Sequence, residues 1–352
     1  VHIVQHLKPG GIECMALDML EHQKATNKTY IISLEGDKKV MLYNWEKLRQ
    51  YENQLFFLNK PPEFSLRTVW QLIRRLKSIN AHIIHTHHIG PLLYVFFVKL
   101  IYRNLKHVHT EHDAWHLKNF KERNLQKIIL KLQKVMLISD SKYVAKKMQQ
   151  FIKKAHSQVI FNGVDTERFK PGSQSVARQK LKLPSDKTII GSAGRLEEIK
   201  GHRFLIQALA NLDDSYCVVI SGSGSLYKEI IDLSKKFRVE KRVFLLGHLD
   251  DIQTFYQGID IFCLPSIDEG LPLSILEAQA SDLPVVATNV GAINELTCKG
   301  NSILVEPANV QALSDALKEI SQFKGSVESR QYIINNASLN QTIDAYNNIY
   351  WE

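Results

Sequence analysis

The stretch IDIFCLPSIDEGLPLSILEAQA, residues 259–280, reads as a strand, a loop and a helix in direct succession. An apolar run closes at Leu264, Pro265 and Ser266 end it, and Pro272 falls near a first helical turn, where a missing amide hydrogen costs nothing. From there the spacing predicts a helix through Ala280. A strand that hands over to a helix in this way is half of a βαβ unit, and the loop at the strand's carboxyl end is where such units hold ligands. Two carboxylates frame the loop: Glu269 precedes the helix and Glu277 lies within it. Gly270 lets backbone approach a ligand closely, and the free amides around Leu271, Leu273 and Ser274, at the helix start marked by Pro272, favour a phosphate. A carboxylate accepts two hydrogen bonds at once, which suits the vicinal hydroxyls of a ribose or a sugar. Phosphate in the middle, sugar at one carboxylate and ribose at the other together describe a nucleotide sugar. Taken alone, the pair is equally an ordinary loop acid and a solvated helix acid.

The same alternation of short β-branched runs and helical spacing extends in both directions. Strands are predicted at Ile3–Gln5, Tyr30–Ser33, Ile83–His85, Val135–Ser139 and Val159–Phe161, with helical spacing between them such as Ser65–Ile79. After Gly172 the pattern restarts with Thr188–Ser192, Cys217–Ser221, Val243–Leu246, Ile261–Leu264, Val285–Thr288 and Ile303–Val305. Two doubly wound α/β domains are expected, facing each other across a cleft. The Asn-Gly, Pro-Gly and serine-rich segment Asn162–Ser175 marks the boundary. The expected division is an acceptor-side domain over residues 1–167, a nucleotide-sugar domain over 168–335 and a terminal helix over 336–352 that packs back toward the first.

The chain has 352 residues, 44% of them hydrophobic, enough for two cores. Its four cysteines are scattered with no CxxC pair, and three of them, in apolar surroundings, read as small hydrophobes, which fits a reducing cytoplasm. No charged segment and apolar run of the export type opens the sequence, and the missing initiator Met suggests that a few residues precede Val1. PLLYVFFVKLIY, Pro91–Tyr102, is too short to span a bilayer and predicts a buried helix. The net charge of +9 is uneven: basic residues outnumber acidic ones about two to one across residues 1–170, and the excess vanishes beyond. That excess is either a solvated lysine-rich surface or a face turned toward an anionic lipid or acceptor.

Further motifs sit at other strand ends. In GSAGRLEEIKGHRFLIQAL, Gly191–Leu209, Arg195 and Lys200 are placed to neutralise a diphosphate. SGSGSLYKE, Ser221–Glu229, is a second glycine-rich strand-to-helix turn, but it lacks the third glycine of a dinucleotide fingerprint. With LLGHLDD at Leu245–Asp251 and PSIDEGLPLSILEAQASDLPVVAT, these motifs resemble the C-terminal domain of retaining glycosyltransferases of family 4, the glycosyl transferases group 1, on the GT-B fold. LKPGGIE at Leu7–Glu13, HTEHD at His109–Asp113, ISDS at Ile138–Ser141 and FNGVD at Phe161–Asp165 carry the resemblance through the first half.

The resemblance implies roles residue by residue. Arg195 and Lys200 would bind the donor diphosphate, Glu277 the ribose and Glu269 the transferred sugar. Amides around Leu271–Ser274 would lie near the phosphates, the Gly247–His248 segment beside the base, and Gly10 and Gly11 in a loop that closes over the donor. His112 would stand against the transferred sugar. The histidines around it include no HExxH and no partnering cysteine, and the chain has no Asp-x-Asp triplet, so no metal and no cofactor are expected. The expected reaction moves a sugar, with retention, from a UDP or GDP sugar to a saccharide or lipid-linked saccharide in surface polysaccharide synthesis. A nucleotide-sugar epimerase, a phosphorolytic enzyme and a non-catalytic sensor are the alternatives. No aromatic platform or basic recognition helix suggests nucleic acid. LKNFKERNLQKIILKLQK, Leu117–Lys134, is a basic amphipathic helix: either the core face of a Rossmann helix, or a surface that holds the enzyme peripherally at the inner face of the cytoplasmic membrane.

Overall fold

A computed structural model describes residues 1–22, 27–323 and 329–351. The chain divides into two compact units, residues 1–162 with 342–352, and residues 163–341. The first carries strands β1 (His2–Val4), β2 (Ile31–Ser33), β3 (Leu55–Phe57), β4 (Ile83–His87), β5 (Lys106–Glu111), β6 (Met136–Ser139) and β7 (Gln158–Val159). The second carries β8 (Thr188–Ala193), β9 (Tyr216–Ser221), β10 (Val243–Gly247), β11 (Ile261–Leu264), β12 (Val285–Thr288) and β13 (Ser302–Val305).

Both sheets are parallel throughout, in the orders β3-β2-β1-β4-β5-β6-β7 and β10-β9-β8-β11-β12-β13. In each, the strand order reverses at one place, between β1 and β4 in the first unit and between β8 and β11 in the second. Loops leaving the two central strands diverge there and open a crevice at the carboxyl edge.

Parallel strands are covered on both faces, and the cores follow from the two-residue period of a strand. In the first unit Ile3 and Ile32 pack with Leu72, Ile84 and Val95 on one face. Their chain neighbours Val4 and Ile31 pack with Leu17 and Leu48 on the other. The second unit gathers Ile190, Leu205, Val218, Ile220 and Leu317 on one face. Local signals start the helices: Ser65 accepts from the Thr68 amide at 3.2 Å at the head of Leu66–Ser78, and Asn119 accepts from the Lys121 amide at 2.9 Å at the head of Phe120–Leu132.

All six strands expected in the second half are present. In the first half, β3 and β5 escaped the reading: LFF at 55–57 follows a polar 3-10 segment, Glu46–Gln54, and shows no alternation, and KHVHTE at 106–111 holds a single aliphatic residue, Val108. The apolar segment around Pro91–Tyr102 is the helix Ile89–Ile101, with Leu92, Val95 and Val98 fully buried. The last helix, Leu339–Trp351, contributes its final turns to the first unit. There Tyr346 donates to or accepts from Thr110 at 2.8 Å, and Tyr350 bonds His85 Nδ1 at 2.6 Å.

Candidate active site

In the second unit the loop after β8 carries Arg195 and Lys200, and the loop after β11 carries Glu269. Since β8 and β11 are the strands at the reversal, both loops line the crevice by topology. Lys200 Nζ donates to Glu269 Oε1 at 2.6 Å, and Ser266 Oγ donates to the same oxygen at 2.6 Å. Thr288 Oγ1 in turn donates to the Ser266 carbonyl at 2.6 Å, and the Ile267 amide donates to the Ile199 carbonyl at 2.8 Å, tying the two loops together. The side chains of Lys200 and Glu269 are 18% and 7% exposed, so the pair is largely shielded from water. Arg195 is different: its side chain is 58% exposed and, among the described residues, reaches only Glu197, at 3.4 Å.

Glycines bring these loops into contact. At Gly201, with φ +63°, an added Cβ would collide with the Pro265 carbonyl, and at Gly291, with φ +59°, with the carbonyl of Glu269. The SGSG turn after β9 works similarly. Its Gly222 amide donates to the Gly247 carbonyl at 2.8 Å, and the Leu196 amide donates to the Ser223 carbonyl at 3.0 Å. A Cβ on Gly222 would strike the Gly194 carbonyl. These glycines therefore serve close packing of the loops after β8, β9 and β10. Gly247, at φ +68°, ends β10 at a register shift and leaves open space where a Cβ would stand.

The helix of the opening stretch runs Leu273–Ala280, with Pro272 one position before it and extended. Gly270 is half-buried, Leu271 and Pro272 are buried, and Leu273 and Ser274 are partly open at the helix start. Glu277 has a different partner from Glu269 and accepts from Tyr256 Oη at 2.6 Å. Burial, and then the Glu277 carboxylate, keep the Tyr256 phenol protonated well above its ordinary range. Tyr256, Ser266, Thr288 and Gly291 escaped the sequence reading. Ser266 stands three residues from Glu269 and was within reach of a local argument. Tyr256 is 21 positions from Glu277, and no spacing links them.

The first unit holds a buried polar cluster at the carboxyl ends of β4 to β7. His112 Nε2 and His87 Nδ1 lie 3.0 Å apart, and His87 Nε2 and His2 Nδ1 lie 3.1 Å apart. On its other side His112 Nδ1 is 3.6 Å from Asp140 Oδ2 and 3.5 Å from Asn162 Nδ2. Burial raises the Asp140 carboxyl to about 6, with His112 opposing the shift. His112 is thus nearly enclosed by protein groups on both ring nitrogens. His2, His85 and His87 are the one trio among the described residues whose ligand atoms lie close enough to share an ion. Both His85 nitrogens are taken, by Tyr350 and by Thr110 at 2.7 Å, and burial holds His85 and His87 neutral. Further along, burial would lower His116, but its hydrogen bond to Asp113 and the Glu111 carboxylate lift it to about 9. Gly10 is extended and precedes the helix Gly11–Glu21, where a Cβ on Gly10 would press on the Glu13 carboxylate.

Two parallel-sheet Rossmann-like units, with charged groups gathered at the reversal of the second, define the GT-B architecture. Anabaena HepE in complex with UDP-glucose has the same fold, with a TM-score of 0.86 at 20% identity over 99% of each chain. The description "Glycosyl transferases group 1" fits residues 173–339 and "Glycosyltransferase Family 4" fits residues 9–168, which together account for nearly the whole sequence. The chain belongs to the family 4, group 1 glycosyltransferases. Among its relatives are a D-inositol 3-phosphate glycosyltransferase of Corynebacterium urealyticum, 29% identical over 70% of this chain and 64% of that one, and the O-antigen biosynthesis glycosyltransferase WclY of Escherichia coli, 26% identical over 71% and 75%. The chain therefore spans just under two thirds of the length of the first of these.

Proposed function

We propose that the protein is a retaining, metal-independent glycosyltransferase that moves a sugar from a UDP or GDP sugar to a saccharide or lipid-linked saccharide, in the synthesis of a surface polysaccharide. One observation carries this reading: Lys200, Ser266 and Glu269 are joined at the strand-order reversal of the second unit, beside a helix start. On donor binding Lys200 turns from Glu269 to the diphosphate, joined by Arg195 and by amides at Leu273 and Ser274. Fixed positive charge then stands where the leaving group gains its negative charge. Glu269, still held by Ser266, is released to accept from hydroxyls of the transferred sugar, and Glu277, braced by Tyr256, accepts from the ribose.

The bond from the anomeric carbon to the donor phosphate oxygen breaks with its electron pair going to the phosphate. The acceptor oxygen bonds to the same face of that carbon, and its proton passes to the departing phosphate. Glu269 is the one carboxylate this reading places beside the sugar, and with Lys200 turned to the diphosphate it stays bonded to Ser266 and to the sugar's hydroxyls, which favours this route over a covalent glycosyl intermediate. The HepE complex and the O-antigen role of WclY support the donor and acceptor classes.

No helix among the described residues is long and apolar enough to cross a membrane. The proposed site of action is the inner face of the cytoplasmic membrane, with the protein attached peripherally through the basic helix Phe120–Leu132. Three of its apolar side chains, Phe120, Ile128 and Leu132, are more than half exposed.

A thermal-shift panel of UDP, GDP and ADP sugars tests the donor class, because a ligand that binds only the folded state raises its melting temperature. A UDP or GDP sugar is expected to raise it, and acceptor-dependent release of the nucleoside diphosphate is expected to persist in EDTA. A flat panel, or a loss in EDTA that added Mg or Mn restores, sinks the respective part of the reading.

A further inference from the structure

In the first unit the crevice at the strand-order reversal lies between the loops after β1 and β4, and His88 is the first residue beyond β4. His88 has φ +73° and ψ 160°, a backbone region that belongs almost wholly to glycine. It holds the N-cap position of the helix Ile89–Ile101 without making a side-chain cap hydrogen bond, although Ser, Thr or Asn would cap and Gly would relax the backbone. Its Nδ1 is buried and has no hydrogen-bond partner among the described residues. Its ring centroid is 6.5 Å from that of His112.

Across the reversal stands Gln5, just beyond β1. Gln5 Nε2 donates to Glu35, which fixes the direction of the amide, while Gln5 Oε1 is buried with no partner among the described residues. The two loops touch there: a Cβ on Gly90 would run into Gln5 Oε1. Two buried polar atoms at one crevice, one of them on a residue kept in a strained backbone, are each expensive unless something completes them.

Burial, with His112 adding to it, lowers the His88 imidazole to about 4, against the opposing pull of Asp113 and Glu111. It is therefore neutral at neutral pH and presents a ring nitrogen without charge. A neutral imidazole nitrogen and an amide oxygen match hydroxyl groups, which donate and accept, better than they match a phosphate. The groups expected to hold the nucleotide sugar, Lys200, Glu269 and Glu277, all belong to the second unit, which leaves these two atoms for the other substrate.

We propose that His88 and Gln5 form a hydroxyl-reading subsite for the acceptor sugar, with Gln5 Oε1 accepting from one hydroxyl and His88 Nδ1 bonding a neighbouring one. The proposal rests on the transferase reading for the identity of the second substrate. The experiment uses the full chain with UDP present, and saturation-transfer NMR against methyl α-glucoside, methyl α-galactoside and methyl α-mannoside as probes. At least one glycoside is expected to bind the wild type, and His88→Gly is expected to weaken it about tenfold or more, the scale of one lost hydrogen bond. His88→Gly is also expected to melt no lower than the wild type, because glycine relieves the backbone. His88→Asn, which tolerates positive φ and keeps a polar tip, is expected to recover part of the binding. Unchanged glycoside binding in His88→Gly, or a lower melting temperature in that variant, overturns the subsite. So does a wild type that binds no glycoside. If that wild type still responds to a UDP or GDP sugar, the transferase reading survives; if it responds to neither, both fall.

Discussion

Lys200 and Arg195 share a loop, a charge and an expected role, yet they sit in different physical surroundings. Lys200 is shielded and bonded to Glu269, whereas Arg195 is exposed and pairs with the nearby Glu197. Replacing either by Ala is expected to lower turnover by on the order of 100-fold, the usual cost of removing one preorganised electrostatic contact. Only Lys200→Ala is expected to lower the melting temperature as well, since it leaves a buried carboxylate with Ser266 alone. Steady-state kinetics with melting curves on both variants check this; near-wild-type turnover in both would remove the diphosphate assignment. The sequence placed the two cations at a strand end correctly. It could not show that one of them is already held by the acid expected to meet the sugar.

The helix Phe120–Leu132 shows what apolar spacing says and what it leaves open. The spacing of Leu117, Phe120, Leu125, Ile128, Ile129 and Leu132 is helical, and a helix forms there. Read as the core face of a Rossmann helix, that stripe is only partly right. Ile129 is buried and Leu117, in the preceding 3-10 turn, is buried, while Phe120, Ile128 and Leu132 are 67%, 52% and 64% exposed. With Lys121, Lys127 and Lys131 also exposed, the outer surface combines apolar tips with cations. Each cation near an anionic surface contributes about 1 kcal/mol. The chain is expected to float with anionic vesicles and not with neutral ones, and to be released by salt. Phe120→Ser with Leu132→Ser should reduce flotation without shifting the melting temperature much, both side chains being exposed. Equal absence from both vesicle types would place the acceptor in solution.

Across the whole molecule, the buried histidines set the response to acid. His85, His87 and His107 are held well below the ordinary histidine range, and His88 and His202 are lowered to about 4, in every case chiefly by burial. Between about 4 and 6.5 the unfolded chain takes up protons that the folded chain refuses, so stability falls as the pH drops through that window. Each such histidine contributes a slope on the order of 1 kcal/mol per pH unit. Asp140, raised to about 6, acts the other way over part of the same range, but it is one group against several. His116 is raised to about 9, so its contribution is complete below 6.5 and is lost as the pH climbs through 9. Urea midpoints are expected to hold near pH 7 and to fall clearly by pH 5; equal midpoints at the two pH values would contradict the burial of these rings as neutral groups.

The alternation of strands and helices, the two-domain count and the order of the family motifs were present in the linear sequence, because a βαβ unit is assembled from neighbouring residues and each domain repeats it. Ser266 beside Glu269, and Gly201 after Lys200, are local in the same sense. Pairings that depend on strand order are not. Lys200 meets Glu269 across 69 positions, and Glu277 meets Tyr256 across 21. Gln5 and Gly90 come together because β1 and β4 are adjacent at a reversal that no window of sequence displays. The exposed tips of Phe120, Ile128 and Leu132, and the strained backbone of His88, were likewise decided only by tertiary packing. Spacing determines which residues share a face, but the neighbours packed against an element determine which part of that face is covered.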